Sequence, residues 1–403
     1  MIKKLERPCV LLLALSAFSA THAADIRFNG FASLAGGKTF NEGTQRSSIS
    51  PTGEESKSIY LADRITDGVY DDDWSFRPDS NYGLQITADV GHDLTVVGQI
   101  TGNGGEDFEA NVAWAYIAYD FNEHFRLTAG RQRLPLFYYS DFFDVAYAYH
   151  WVRPPQELAA SDYDTFEGLK LRATVVAGNV DLAGEIFAGS ASETLNTGSG
   201  VEFENQWGLT LTGTYDWLTL RAHYSEADLI IDNDALTSLS GQGTDEDPIP
   251  GTLIGFAANA DFGKFFIISE YTLAPIEDPV YPELAIRGID GTVGWYLSYG
   301  MRFGQFTPHI TYSEETIDLV ELPGIYTETG TLIGFGDPVE YESKRQAWTI
   351  GVRWDFHPSA AFKVEYISRS DESDDYFKNS AGFLGNGEPG KVDLLTFSLD
   401  VLF

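Results

Sequence analysis

Four sets of residues in this chain carry reactive or charged side chains at telling spacings. The first is the stretch 132–165. Between Phe137 and Trp151 it holds eight aromatic residues, and Arg133, Asp141, Asp144, Arg153 and Glu157 stand among or beside them. Rings at this density serve packing, or, if left open, stacking on flat solutes such as sugars. The second set is Arg126, Lys170, Arg172, Arg221 and Arg353, each flanked on both sides by apolar residues. Fixed charges facing one another across a narrow gap sort ions; they break no bonds. The third is His223 with Ser225, which share one face of an alternating segment. A Ser–His hydrolase needs such a pair, but no third group is evident, and geometry defines such a site. The fourth comprises the acidic runs Asp71–Asp72–Asp73, Asp232–Asn233–Asp234, Asp245–Glu246–Asp247 and Asp371 to Asp375. None has the spacing of an EF-hand loop, so solvated loops account for them. There is no Gly-rich phosphate loop, His cluster or haem motif. The reading therefore includes no enzyme, no cofactor and no metal site.

Bulk properties narrow the class further. The 403 residues include 26 basic and 60 acidic ones, a net charge of −34. Nucleic-acid binding needs a basic footprint, so that class is excluded. Lys3, Lys4 and Arg7 precede an apolar run from Val10 to Ala20, and Thr21–His22–Ala23 offers a small-residue cleavage site. Residues 1–23 thus read as a secretory signal, with 24–403 as the mature chain. The only cysteine, Cys9, lies inside that signal, so the mature chain has no thiol for disulfides, metal thiolates or nucleophilic attack.

The elements that must hold these residues are strands. Beyond residue 24, segments of about ten residues with period-two apolarity alternate with polar, Gly-rich or acidic links, the length of a tilted strand crossing a bilayer. Sixteen segments are expected: 25–36, 82–91, 93–101, 110–121, 124–131, 166–177, 179–188, 205–216, 217–225, 252–262, 264–272, 292–303, 305–313, 345–356, 360–369 and 392–403. Tight turns alternate with long links at 37–81, 102–109, 132–165, 189–204, 226–251, 273–291, 314–344 and 370–391. The expected fold is all-β: a transmembrane, antiparallel, up-and-down barrel of about sixteen strands. Its termini share the periplasmic end, and the long links lie at the other. A lumen that wide cannot be filled by side chains, so the polar faces line it. A charge turned to lipid would cost about 2–4 kcal/mol at mid-bilayer. By strand parity Arg126, Lys170, Arg172, Arg221 and Arg353 are therefore wall cations. The competing reading pairs each with a wall acid such as Asp120, Asp181 or Glu365 and leaves it structural. Tyr82, Tyr119, Phe121, Tyr215, Trp217, Tyr271, Phe303, Trp354, Phe356 and Phe403 sit near strand ends, as interfacial girdles require.

The last segment is apolar at 395, 397, 399, 401 and 403, to its final residue. Chain ends fray in water, whereas a closed barrel ties its last strand to its first. Phe397, Leu399, Val401 and Phe403 are thus the outer face of a closing seam. Leu394, Thr396, Ser398 and Asp400 are its inner face.

The strand count, the loop alternation, the Arg133–Leu134–Pro135 start, Tyr139–Ser140–Asp141 and the Trp151–Val152–Arg153–Pro154–Pro155 exit resemble those of the trimeric porins of Gram-negative outer membranes. The three stretches within 132–165 also look like those of porins of marine γ-proteobacteria, and general and phosphate-selective porins share these traits. The resemblance implies a third outer loop, here 132–165, folded into the barrel to narrow it. Asp141, Asp144 and Glu157 would be its acids, with Arg133, Tyr139, Trp151 and Arg153 as companions. It also implies a homotrimer in the cell outer membrane that passes small hydrophilic solutes and ions by diffusion. A channel selective for phosphate, other anions or sugars is the alternative, and an outer-membrane enzyme or adhesin the remote one. Implied partners are outer-membrane lipid, lipopolysaccharide (bridged by divalent cations on the acidic loops) and the barrel assembly machinery, which would read the terminal Phe403 pattern.

Overall fold

The computed structural model describes residues 25–40, 60–61, 68–158, 164–194, 200–232, 248–283, 287–321, 324–326, 332–335, 339–371 and 391–403. The segment read as a secretory signal lies outside them. Sixteen strands form one closed antiparallel barrel. They are β1 Asp25–Phe40, β2 Asn81–Gly91, β3 Leu94–Asn103, β4 Asn111–Asp120, β5 Phe125–Arg133, β6 Thr165–Ala177, β7 Val180–Thr194 and β8 Gly200–Tyr215. The second half comprises β9 Leu218–Asp232, β10 Ile249–Asp261, β11 Phe265–Glu283, β12 Arg287–Met301, β13 Phe306–Glu321, β14 Val339–His357, β15 Ala360–Asp371 and β16 Lys391–Leu402. Every strand pairs with its sequence neighbours, and β1 pairs with β16. No helix among the described residues is long and apolar enough to cross a membrane.

The alternation of the sequence becomes two faces. In β6, Leu169 and Val175 are about half exposed on the outside, at 54% and 52%. In β14, Trp348, Ile350, Val352, Trp354 and Phe356 are all exposed. The polar residues between them point inward. Such an exterior is what a hydrocarbon solvent demands, and closure leaves no unpaired edge. All ten aromatics expected at girdle positions are exposed. On β14 Phe356 lies eight residue steps beyond Trp348. At about 3.3 Å per residue and a tilt near 40° that spans roughly 20 Å of barrel height, close to the apolar band of such barrels. At the loop end the boundary is marked twice by the same device. Trp207 lies opposite Glu226 and Trp295 opposite Glu314 in register. Each glutamate accepts hydrogen bonds from that indole and from the tyrosine two residues before it, Tyr224 or Tyr312.

The seam closes as the terminal pattern requires. Phe31 pairs with Leu402 and Phe40 with Asp393. Gly30 and Phe403 exchange two backbone hydrogen bonds, at 2.7 and 2.9 Å. Leu399 and Phe403 are exposed, while Leu394, Thr396, Ser398 and Asp400 are no more than 1% exposed. That inner face is covered by something inside the barrel.

The tight turns stand where the sequence places them, helped by positive φ at Gly91, Gly178, Asp216, Gly263 and Gly304. Several of the expected long links are shorter, two of them most of all. The link 189–204 is mostly strand, since β7 runs to Thr194 and β8 begins at Gly200. The link 273–291 shrinks likewise, because β11 runs to Glu283 and β12 begins at Arg287. Above the apolar band lipid no longer imposes an apolar outer face, so pairing continues without the alternation that marks a strand in sequence. Bulges at Glu204/Trp207 and between Pro275 and Val280 accompany this change.

Candidate functional site

The segment after β5 lies against the inner wall. Its entry, Leu134–Pro135–Leu136, packs into a cluster with Phe166, Phe187, Ala191, Phe203 and Ala227. The Pro135 carbonyl accepts hydrogen bonds from Thr210 Oγ1 at 3.2 Å and Arg221 Nη2 at 2.5 Å. Two 3-10 turns follow, at Ser140–Phe142 and Ala146–Ala148. The Tyr139 ring meets Tyr138, Phe142, Tyr149 and Trp151 edge-on at 5.1 to 5.9 Å. Trp151 is fully buried, stands 5.4 Å from the Tyr296 ring of β12, and donates to Thr311 Oγ1 at 2.8 Å. Tyr139 and Trp151 thus pack the segment on its own rings and on the wall, and neither offers an open face for stacking.

Buried charges fasten this core to the wall through its backbone. Lys363 of β15 is fully buried, pairs with Asp400 at 2.8 Å, and donates to the carbonyls of Ala146 and Trp151 at 2.6 Å each. Arg353 of β14 donates to the Tyr147 and Tyr149 carbonyls at 2.6 and 2.7 Å and pairs with Asp355. Two cations therefore clamp four carbonyls within six residues. Glu270 of β11 accepts from the Tyr138 N–H at 2.8 Å. His150 contacts Ser298 at 2.9 Å. Backbone carbonyls buried in a 3-10 segment need donors, and these side chains supply them.

The expected loop charges separate into used and unused ones. Arg133, 5% exposed, pairs with Asp144 and Asp164. Glu157 is buried, accepts from Ser313 Oγ at 2.8 Å, and faces Arg369 at 3.6 Å. Arg153 pairs with Asp79 at 3.0 Å. Asp141 alone of the three loop acids is exposed. It borders a polar cavity of about 520 Å³ that it shares with Arg172, Glu185, Asp181, Thr212, Thr214 and Arg221.

The wall cations divide in the same way. Arg126 grips Asp120 with two hydrogen bonds of 2.7 Å, and Arg172 meets Glu185, not Asp181, at 3.1 Å. Arg221 and Arg353 hold the in-folded segment. Lys170 has no ion pair or side-chain hydrogen bond among the described residues. Arg126 and Arg172 are register partners, and Lys170 lies two residues along β6. Three cations therefore neighbour one another on the wall. Sequence reasoning missed Lys363, Glu270 and Arg369 as anchors. Lys363 was within reach of the parity rule, since it alternates with Phe362, Val364 and Tyr366.

Two other candidates resolve. His223 is buried, with one ring nitrogen 3.0 Å from Ser225 Oγ and the other 2.9 Å from Thr210 Oγ1. Thr210 takes the place an orienting acid would need, and the relay ends on the Pro135 carbonyl. Asp71, Asp72 and Asp73 offer carboxylate oxygens within 4.8 Å of one another, two of the residues exposed. Positions 233–247 and 372–375 of the other acidic runs lie outside the described residues.

The fold has counterparts among solved structures. An in-vitro folded OmpT of Vibrio cholerae in trimer form aligns at 11% identity over 95% of this chain and 100% of that one, with a TM-score of 0.52. An OmpF of Salmonella typhi in complex with daunomycin gives 14%, 94%, 97% and 0.55. An anion-selective porin from Comamonas acidovorans gives 10%, 94%, 100% and 0.54. No protein-family model and no curated protein matches the chain. At these identities the likeness establishes the fold, which is that of outer-membrane porins.

Proposed function

We propose that this chain, built on the porin fold, is an outer-membrane channel for passive diffusion of small hydrophilic solutes and ions. Both termini would face the periplasm and the long links the exterior. One observation carries the reading. Asp141 is the single spare acid of the in-folded segment among the described residues, and it borders the same polar cavity as Arg172 and Arg221. Opposed fixed charges across an aqueous gap orient polar solutes and slow apolar ones. The segment 132–165 is then the constriction, and Arg126, Lys170 and Arg172 are the basic wall. A second reading, selectivity for anions such as phosphate, is favoured by the adjacency of those three cations and by the unpaired Lys170. A homotrimer belongs to the same proposal, supported by the neighbour solved in trimer form. So do contact with lipopolysaccharide through the acidic loops and recognition of the Phe403 pattern by the assembly machinery.

Reconstitution in a planar bilayer tests the function. A large ohmic current is expected, and its complete absence would overturn both channel readings. Asp141→Asn is expected to move the reversal potential under a salt gradient towards anions. An unchanged reversal potential would remove Asp141 from the solute path. Current block that saturates with phosphate would decide for the selective channel.

A further inference from the structure

The link between β1 and β2 also enters the barrel. Its described part pairs Tyr60 with Tyr70 as a two-stranded hairpin. Tyr60 is 5% exposed and Tyr70 fully buried, and both pack on Val392 and Leu394 of β16, with Ile367 of β15 beside them. Val392 and Leu394 continue the inner face of Thr396, Ser398 and Asp400. The rings therefore sit inside the wall and cover the face that the seam buries. Beyond Tyr70 the chain runs along β1, where Thr39 donates to the Asp71 carbonyl, and Gly37 and Ser75 exchange two hydrogen bonds.

The hairpin is joined to the exit of the in-folded segment. The Tyr70 hydroxyl donates to Asp79 at 2.9 Å, and Asp79 pairs with Arg153 at 3.0 Å. Arg369 lies 5.4 Å over the Tyr60 ring and faces Glu157. Where Tyr60, Asp79, Val152 and Glu157 meet Ala347, Thr349, Glu365 and Leu394 of the wall, they enclose a cavity of about 20 Å³. That holds one water and no solute.

We propose that residues 60–61 and 68–80 form a second plug, which with 146–157 seals the arc of β14 to β16 and β1. Solutes then cross away from that arc, past the cavity that Asp141 and Arg172 both line. The proposal rests on the channel reading. It makes the Tyr60–Tyr70 hairpin, as well as the constriction segment, a determinant of pore width.

Thiol access tests the sealing directly. Cys9 is the chain's only cysteine, so in a Cys9→Ser background introduced thiols are read alone. Thr214→Cys lies on the polar cavity and Ala347→Cys on the sealed arc. With a membrane-impermeant cationic methanethiosulfonate, Thr214→Cys should react quickly and Ala347→Cys should stay unmodified. Adding Tyr60→Ala with Tyr70→Ala should make Ala347→Cys reactive and raise unitary conductance. The isosteric Asp79→Asn, which keeps the hairpin rings, should speed its labelling about tenfold, the order expected for losing hydrogen bonds to a charged group. Equal labelling of Ala347→Cys and Thr214→Cys in the otherwise native chain would overturn the plug. So would hairpin variants that label and conduct as their parent. Labelling read by mass in proteoliposomes needs no current, so it still judges the sealing if the channel reading fails.

Discussion

Lys363→Met is the most searching single substitution. The ammonium it removes sits fully buried between Asp400 at 2.8 Å and the carbonyls of Ala146 and Trp151 at 2.6 Å. Its charge also lies 4.9 Å over the Tyr149 ring. Removing one partner of a buried ion pair strands the other charge, which costs about 3–5 kcal/mol. Asp400 would keep only the hydroxyls of Ser33 and Ser398. The two carbonyls lose bonds to a charged donor, a loss of about 1.5–3 kcal/mol for one such bond and not additive with the first. The variant should unfold in detergent at lower guanidinium concentration, with the shielded Trp151 as a fluorescent reporter. Single channels should be noisier and more conductive, because the 146–151 stretch has lost half its clamp. Lys363→Met with Asp400→Leu separates the two effects. An apolar pair of similar volume replaces a buried ion pair with little loss, so the midpoint should largely recover. The carbonyls still lack their donor, so the noise and conductance should not. Conductance and noise equal to the parent in Lys363→Met would refute the clamp.

Two further perturbations probe the wall and the acid response. A Cβ on Gly168 would lie 2.1 Å from the Ala188 carbonyl oxygen, and one on Gly189 would lie 2.3 Å from that of Glu167. Gly168→Ala should therefore lower barrel stability by about 1–3 kcal/mol, as overpacking does, in a guanidinium titration. Gly98→Ala, with open space around it, should leave the midpoint unchanged. His150 is held well below the ordinary imidazole range by burial first, then by His309, Lys363, Arg353 and Arg302. The native ring is thus neutral while the unfolded ring protonates near pH 6.5. Its contribution is present above that pH and fades as pH falls, by about 1.4 kcal/mol per unit. His150→Asn should flatten the stability profile below pH 6.5 by that amount relative to the parent, and parallel profiles would count against a buried neutral ring.

Strand number, turn positions and the closing seam were legible in the sequence because one solvent imposes them. Lipid forces alternation on every residue between the girdles, and Leu169 to Val175 or Trp348 to Phe356 record it directly. The strand arms at 189–194 and 273–283 left no such record, since beyond the lipid no solvent imposes an apolar outer face. Parity also placed Arg221 and Arg353 on the wall but could not show that both serve the in-folded segment. Their partners there are the carbonyls of Pro135, Tyr147 and Tyr149, and a carbonyl has no sequence signature. The same blindness explains the three loop acids. Asp141, Asp144 and Glu157 look equivalent in sequence, yet Arg133 and Arg369 occupy two of them. Which acid stays exposed at the cavity is decided by which of them the buried cations hold. The charge that faces the cavity is therefore a remainder of the packing, and substitutions at Arg133 or Arg369 should alter ion preference without touching the cavity.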